Sequence, residues 1–158
     1  MIQPDGNIKH LLPEFAELVE ATLREANRES AGKFDDFSHW GIFEGYRSVE
    51  RQKELYAQGR SQPGNIVTNT PIPAYHGWGI ACDCVWYDFA GNPRWDGIPN
   101  LWDIYFHCAA LQGLDVGGRW HSFPDSPHVQ ANHTVIDIWR AKAVPYLKSL
   151  ELSTPSLK

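Results

Sequence analysis

The sequence is short of three things, and each shortage excludes something. It has no long uninterrupted apolar run, so no part of it reads as a membrane span. It has no dense lysine or arginine cluster: 14 basic residues face 19 acidic ones, for a net charge of −5. Nucleic acids and anionic membrane surfaces both need a positive footprint, so neither is an expected partner. It has three cysteines, at 82, 84 and 108, too few for a disulfide framework in 158 residues. Cys82 and Cys84 lie too close along one strand to bridge without distorting it, and C-x-C lacks the second half of a zinc knuckle. All three read as buried thiols. The N-terminal MIQPDGNIKHLLPEF has no basic stretch leading into an apolar one, so neither a signal peptide nor a membrane anchor is expected.

What is present suits one ordinary folded domain. Hydrophobic residues make up 42% of the chain and aromatics 13%, enough to bury a core. There is no internal repeat and no interdomain linker, so residues 1–148 are expected to form a single domain, with 149–158 a flexible tail. A monomer is expected.

Four segments carry helical signals. In PEFAELVEATLREANRES, Phe15, Leu18, Val19, Thr22, Leu23 and Ala26 share one stripe. Ser48 can cap VERQKELYAQ, which Gly59 ends. Asn100 can cap LWDIYFHCAALQ, which Gly113 stops, and Asn132 or His133 opens HTVIDIWRAKA, whose end Pro145 disturbs. Strand signals lie at WGIFEGY, IACDCVWY and around PHVQ, and AGNP at 90–93 reads as a turn. In the second strand, alternation places Ala81, Asp83, Val85 and Tyr87 on one face and Ile80, Cys82, Cys84 and Trp86 on the other. Helices flanking a small antiparallel sheet make the class α+β.

The stretch HGWGIACDC sets an imidazole on a loop seven residues before a carboxylate in that strand. A carboxylate facing inward needs a partner, because a buried unpaired charge is very costly. His76 is the nearby supplier and His128, in DSPHVQ, a second. Two imidazoles and one carboxylate form a zinc set that leaves a fourth position for water, the catalytic pattern.

The run AYHGWGIACD, from Ala74 to Asp83, resembles the motif S-x-H-x-x-G-x-A-x-D of the zinc D,D- and L,D-peptidases, peptidase family M15, whose fold is shared by hedgehog-type domains. Ala74 stands where the family has serine, which is not a ligand. GLDVGGRWHSFPDSPHVQ resembles the second half of the family signature, in the L-alanyl-D-glutamate peptidase branch found among phage endolysins, as does EGYRSVERQKELYAQGRS upstream. The similarity covers roughly residues 40 to 131.

The resemblance implies His76, Asp83 and His128 as zinc ligands, Asp125 as catalytic acid/base and Arg47 as the cation that binds substrate. Zinc would bring the pKa of its water from 15.7 to about 7, and a carboxylate three residues before a ligand can take that water's proton and hand it to the leaving amine. Without the second motif, Asp125 would read as a helix- or turn-capping aspartate, and Arg47 taken alone as a surface arginine packed over VERQKELY. A guanidinium grips a carboxylate with two prongs. Both a D-Ala-D-Ala terminus and an L-Ala-D-Glu bond continued through the γ-carboxyl present that carboxylate beside the scissile nitrogen. Trp78, Trp120 and His121 are further candidates for substrate contact.

The expected activity is therefore zinc-dependent hydrolysis of the L-Ala-D-Glu bond in peptidoglycan stem peptides. The expected setting is a phage or prophage endolysin, made in the host cytoplasm and reaching the wall after a holin opens the membrane. Two alternatives stand beside it: a D-alanyl-D-alanine carboxypeptidase or dipeptidase on the same site, and a non-catalytic hedgehog-like zinc-binding module.

Overall fold

A computed structural model of the protein describes residues 1–33, 38–71, 74–95 and 100–155. Its centre is the strand read from IACDCVWY. The strand β2 (Ala81–Tyr87) pairs antiparallel with β1 (His39–Glu44), with β3 (Pro93–Arg94) and with β5 (His128–Gln130), and β4 (Asp115–Val116) adds to β5. The order across the sheet is β1-β2-β5-β4, with β3 on β2. The two-residue strands β3 and β4 carry no readable alternation, which is why only the other three are legible in the sequence. The turn expected at 90–93 is present: the Asp88 N–H donates to the Asn92 carbonyl and the Gly91 N–H to that of Asp88.

The two faces of β2 divide as alternation predicts. Cys82, Cys84 and Trp86 enter the core with α1 (Pro13–Ser30) and α3 (Leu101–Leu111), while Asp83 points the other way, into a cleft. Trp40 sits among aromatic rings there, stacked on Tyr105 at 4.9 Å and edge-on to Trp86 at 5.6 Å. In α1 the side-chain amide of Asn27 brackets the Trp40 backbone, accepting from its N–H (2.7 Å) and donating to its carbonyl (3.1 Å). The helix thereby supplies hydrogen bonds that an edge strand would otherwise lack. All three thiols are buried, as expected.

A bulge breaks the β1–β2 register. Ile42 faces Cys84, yet the next partner of Asp83 is Glu44 and not Phe43. The extra residue turns Glu44, which regular alternation would send to the core face, toward Asp83. Phe43 and Glu44 both line the cleft as a result.

Three helix ends and the C-terminal segment depart from the sequence reading. Ser48 caps α2 (Val49–Ala57) as expected, its Oγ accepting from the Arg51 N–H at 3.1 Å. Asn100 stands at the cap of α3 in a left-handed conformation, φ 69°, and its side chain makes no capping bond. Asn132 holds a turn, accepting from the Thr134 N–H, and α4 (Ile136–Ser149) starts only after it. Pro145 lies inside α4 without ending it, with buried Ala143 and Leu147 on either side tying the helix to the core. The fourth departure is the segment expected to be a flexible tail. Leu152 packs on the core, the Tyr46 hydroxyl donates to the Ser153 carbonyl at 2.8 Å, and Pro155 is buried against Gly77. A Cβ on Gly77 would lie 2.8 Å from Pro155 Cγ, so the chain end braces the loop that carries His76. The rest of that segment, 156–158, lies outside the described residues. Among the described residues no helix is long and apolar enough to cross a membrane.

Tyr46→Phe removes the bond to Ser153. Chemical denaturation should register a loss of about 1 kcal/mol, and amide exchange of residues 152–155 should quicken. Unchanged protection there would mean that Leu152 and Pro155 hold the segment by apolar contact alone.

Candidate metal centre and its cleft

The loop YHGW (75–78) makes one 3-10 turn and ends at Gly79, φ 62°, where a Cβ would lie 2.8 Å from the His10 carbonyl oxygen. This close approach fixes the turn and buries His76. His76 Nδ1 lies 2.7 Å from the Gly45 carbonyl oxygen, which can only accept, so Nδ1 carries the proton and Nε2 is left as a lone pair. Nε2 is 3.4 Å from Asp83 Oδ1 and 3.3 Å from His128 Nδ1.

His128 is oriented in a different way. The pairing of β2 with β5 sets it directly opposite Asp83, and its Nδ1 is 3.0 Å from Asp83 Oδ1. Its Nε2 donates to Gln130 Oε1 at 3.0 Å. The amide of Gln130 is fixed in turn, because its nitrogen donates to Asp115 Oδ2 (3.0 Å), the residue across from it on β4. Asp115 Oδ1 accepts from Trp120 Nε1 at 2.9 Å. The relay Trp120–Asp115–Gln130–His128 leaves Nδ1 of His128 facing inward.

The three ligating atoms of His76, Asp83 and His128 lie within 4.8 Å of one another. Each imidazole commits its outer nitrogen to an acceptor and turns the inner one toward the carboxylate. This donor set fits a zinc ion.

Electrostatics bind the three together. Burial works against the charge on Asp83, but His76 and His128 outweigh it and hold the carboxyl well below its ordinary range. Burial also opposes a charged His128, and the hydrogen bond and charge of Asp83, helped by Asp125, raise it nonetheless. His76 is lowered, first by burial and then by the Arg47 guanidinium. Burial and the negative charge of Asp83 push the Asp125 carboxyl up.

Behind Asp83 stands a buried ion cluster that the sequence reading did not foresee. Arg47 donates from Nε and Nη2 to Glu44 Oε2, from Nη1 to Gln52 Oε1 at 3.0 Å, and from Nη2 to Asp83 Oδ2 at 3.1 Å. One bond from Nε, one from Nη1 and two from Nη2 engage four of its five N–H groups. Arg47 lines the cleft, but of its four bonds two go to Glu44, one to Gln52 and one to Asp83, so most of its donors are spent inside this cluster. Arg51 Nε donates to the other oxygen of Glu44 at 2.9 Å. Periodicity carries part of this signal, since Gln130 follows His128 by two positions along β5, whereas Arg47 precedes the Ser48 cap and shares no helical period with Arg51. Glu44 had none, since only the bulge turns it to this side.

The cleft measures about 820 Å³, and His76, Asp83, Asp125, His128, Arg47 and Trp120 all line it. Asp125 is placed by a tight turn: its N–H donates to the Gly117 carbonyl (3.0 Å) and its carbonyl accepts from the His128 N–H (3.2 Å). A Cβ on Gly117 would lie 2.6 Å from the Asp125 carbonyl oxygen and 2.9 Å from His128 Cβ. The Pro127 carbonyl accepts from the Cys84 N–H and the Tyr105 hydroxyl, pinning the DSPH turn to β2 and α3. The ring of Trp120 lies 5.2 Å from that of His128. Two substrate-contact candidates fall elsewhere. Trp78 is 1% exposed, packed into the core beneath its loop, and His121 is exposed and outside the cleft lining.

The chain is 38% identical over 97 residues to the peptidoglycan L-alanyl-D-glutamate endopeptidase CwlK of Bacillus subtilis (strain 168), a match covering 56% of this chain. It spans 58% of the length of that relative. The crystal structure of the Serratia marcescens L-Ala D-Glu endopeptidase ChiX has a TM-score of 0.57 to this fold at 22% identity, covering 81% of this chain and 85% of that one. No family model matches the chain. The α+β fold is borne out by the likeness to ChiX, and the sequence resemblance to L-alanyl-D-glutamate peptidases by the match to CwlK.

Removing the relay behind His128 should loosen the metal without unfolding the chain. Gln130→Ala is expected to weaken zinc about 10- to 100-fold in a chelator competition; unaltered affinity would mean that Asp83 and packing alone orient His128. Gly117→Ala should cost more zinc affinity than Gly91→Ala, a control at a glycine with nothing within 4 Å.

Proposed function

We propose that this chain is a zinc metallopeptidase that hydrolyses peptidoglycan stem peptides at the L-Ala-D-Glu bond, acting as an endolysin. One observation carries the reading: the convergent lone pairs of His76, Asp83 and His128 share one cleft with a carboxylate, Asp125, that is not needed as a ligand. A zinc-binding module without chemistry has no use for that fourth group. The names of CwlK and ChiX support the choice of bond.

His76 Nε2, Asp83 Oδ1 and His128 Nδ1 would hold the ion. Zinc, when bound, acidifies a water and polarises a carbonyl. Asp125 accepts the proton of the attacking water at its carboxylate and delivers it to the leaving amine nitrogen. Its raised pKa suits both transfers, since it is a better base than an ordinary carboxylate and still a competent acid. Arg47 keeps Asp83 Oδ2 occupied, so that Oδ1 alone is offered inward. Trp120 both lines the cleft and steadies His128 through Asp115.

Zinc-loaded protein incubated with purified peptidoglycan should expose new D-glutamate amines, read by mass spectrometry of the released termini. Free D-alanine in their place would move the activity to a D-alanyl-D-alanine bond. No cleavage with zinc bound would overturn the enzyme in favour of a binding module. Asp125→Ala should keep zinc and lose turnover by about 10²- to 10⁴-fold, whereas His76→Ala and Asp83→Ala should lose both. Normal turnover in Asp125→Ala would remove it from the mechanism.

A further inference from the structure

The cleft wall formed by α2 carries a second guanidinium that the mechanism leaves unused. Arg51 is 7% exposed and belongs to the cleft lining. Its Nε is tied to Glu44, but its Nη1 is buried with no hydrogen-bond partner. A buried charged donor without an acceptor is costly, and native structures keep one where something else supplies the acceptor. Arg47 differs, having one N–H to spare. The two arginines grip opposite oxygens of the same carboxylate, so Arg51 is joined to the metal ligands through Glu44, Arg47 and Asp83.

The charge balance of the cleft points the same way. Its lining holds Arg47, Arg51 and Arg140 against Glu44, Asp83 and Asp125, which cancel. A divalent cation on two neutral imidazoles and Asp83 then leaves the cleft positive by two. Such a site favours an acidic ligand, and a carboxylate oxygen is the acceptor that the unpartnered Nη1 of this guanidinium lacks.

We propose that Arg51 receives the α-carboxylate of the residue whose amine is released, so that the cleft selects a free acid over a carboxamide at that position. The inference rests on the peptidase reading of the cleft and adds the residue that sets its preference. Arg47 is then chiefly a positioning residue for Asp83, and Arg51 the substrate anchor.

The test uses two synthetic L-Ala-D-Glu stem peptides continued through the γ-carboxyl, one with the α-carboxylate and one with the α-carboxamide. Zinc-loaded wild type should favour the acid by about tenfold to a hundredfold in kcat/KM, carried mainly by KM. Arg51→Met should bring the ratio close to one, and Arg51→Lys should fall between. The ratio is taken within each variant, so a smaller folded fraction cancels. A parallel titration of the zinc-free proteins, followed by tryptophan fluorescence, reads binding without turnover. A wild-type ratio near one, or an Arg51→Met variant that keeps the wild-type ratio, would overturn the assignment. If the wild type cuts neither peptide, the peptidase reading fails. The titration then decides Arg51 alone: acid-selective binding lost in Arg51→Met upholds it, and equal binding of both peptides overturns it.

Discussion

A carboxylate inside the central strand of a sheet must be met by positive charge or metal, and Asp83 is met from three sides. His128 approaches across the β2–β5 ladder, His76 from the 3-10 turn and Arg47 from the start of the segment leading into α2. Each depends on a strand register. A one-residue slip between β2 and β5 would carry His128 to the opposite face, and loss of the bulge would return Glu44 to the core side and leave two buried arginines without their shared anion. The register of the sheet and the electrostatics of the site are therefore one constraint.

The same constraint explains why the outer shell is as ordered as the ligands. A partner on one nitrogen of an imidazole fixes its tautomer and ring orientation and so decides which nitrogen is offered to a metal. His76 has such a partner in a backbone carbonyl at the end of β1, and His128 in an amide that is itself locked by Asp115 and Trp120. The acid/base candidate is placed by backbone alone, through a turn that Gly117 allows to close within 3 Å of it. The chain end reinforces the arrangement from below, where Pro155 lies against Gly77. The outcome is a cleft held rigid on all these sides, which is what a site needs to keep its side chains in one geometry.

Much of this was legible before any coordinates. Alternation in IACDCVWY assigned the faces of β2, and the separated motifs around His76 and His128 named the ligand set. The bulge at Phe43–Glu44 was not legible, because an extra residue in a strand leaves the local pattern looking regular. The binding of residues 152–155 was missed for another reason: a polar, proline-containing end looks frayed unless its long-range partners, Tyr46 and Gly77, are known. Trp78 and His121 illustrate the limit of adjacency. Both lie next to motif residues, yet one turns into the core and the other into solvent.

By itself the sequence determined which strand face carries the carboxylate and the α+β class, because these follow from periods of 2 and 3.6, and its resemblance to two known motifs pointed to the side chains that can hold a metal. Only the tertiary structure decided which nitrogen of each imidazole faces inward, that Arg47 is largely committed to Glu44 and Asp83, and that Arg51 stands in the cleft with donors to spare. Those outcomes depend on hydrogen bonds between residues far apart in the chain, and no local pattern encodes which of several possible partners a buried group will meet.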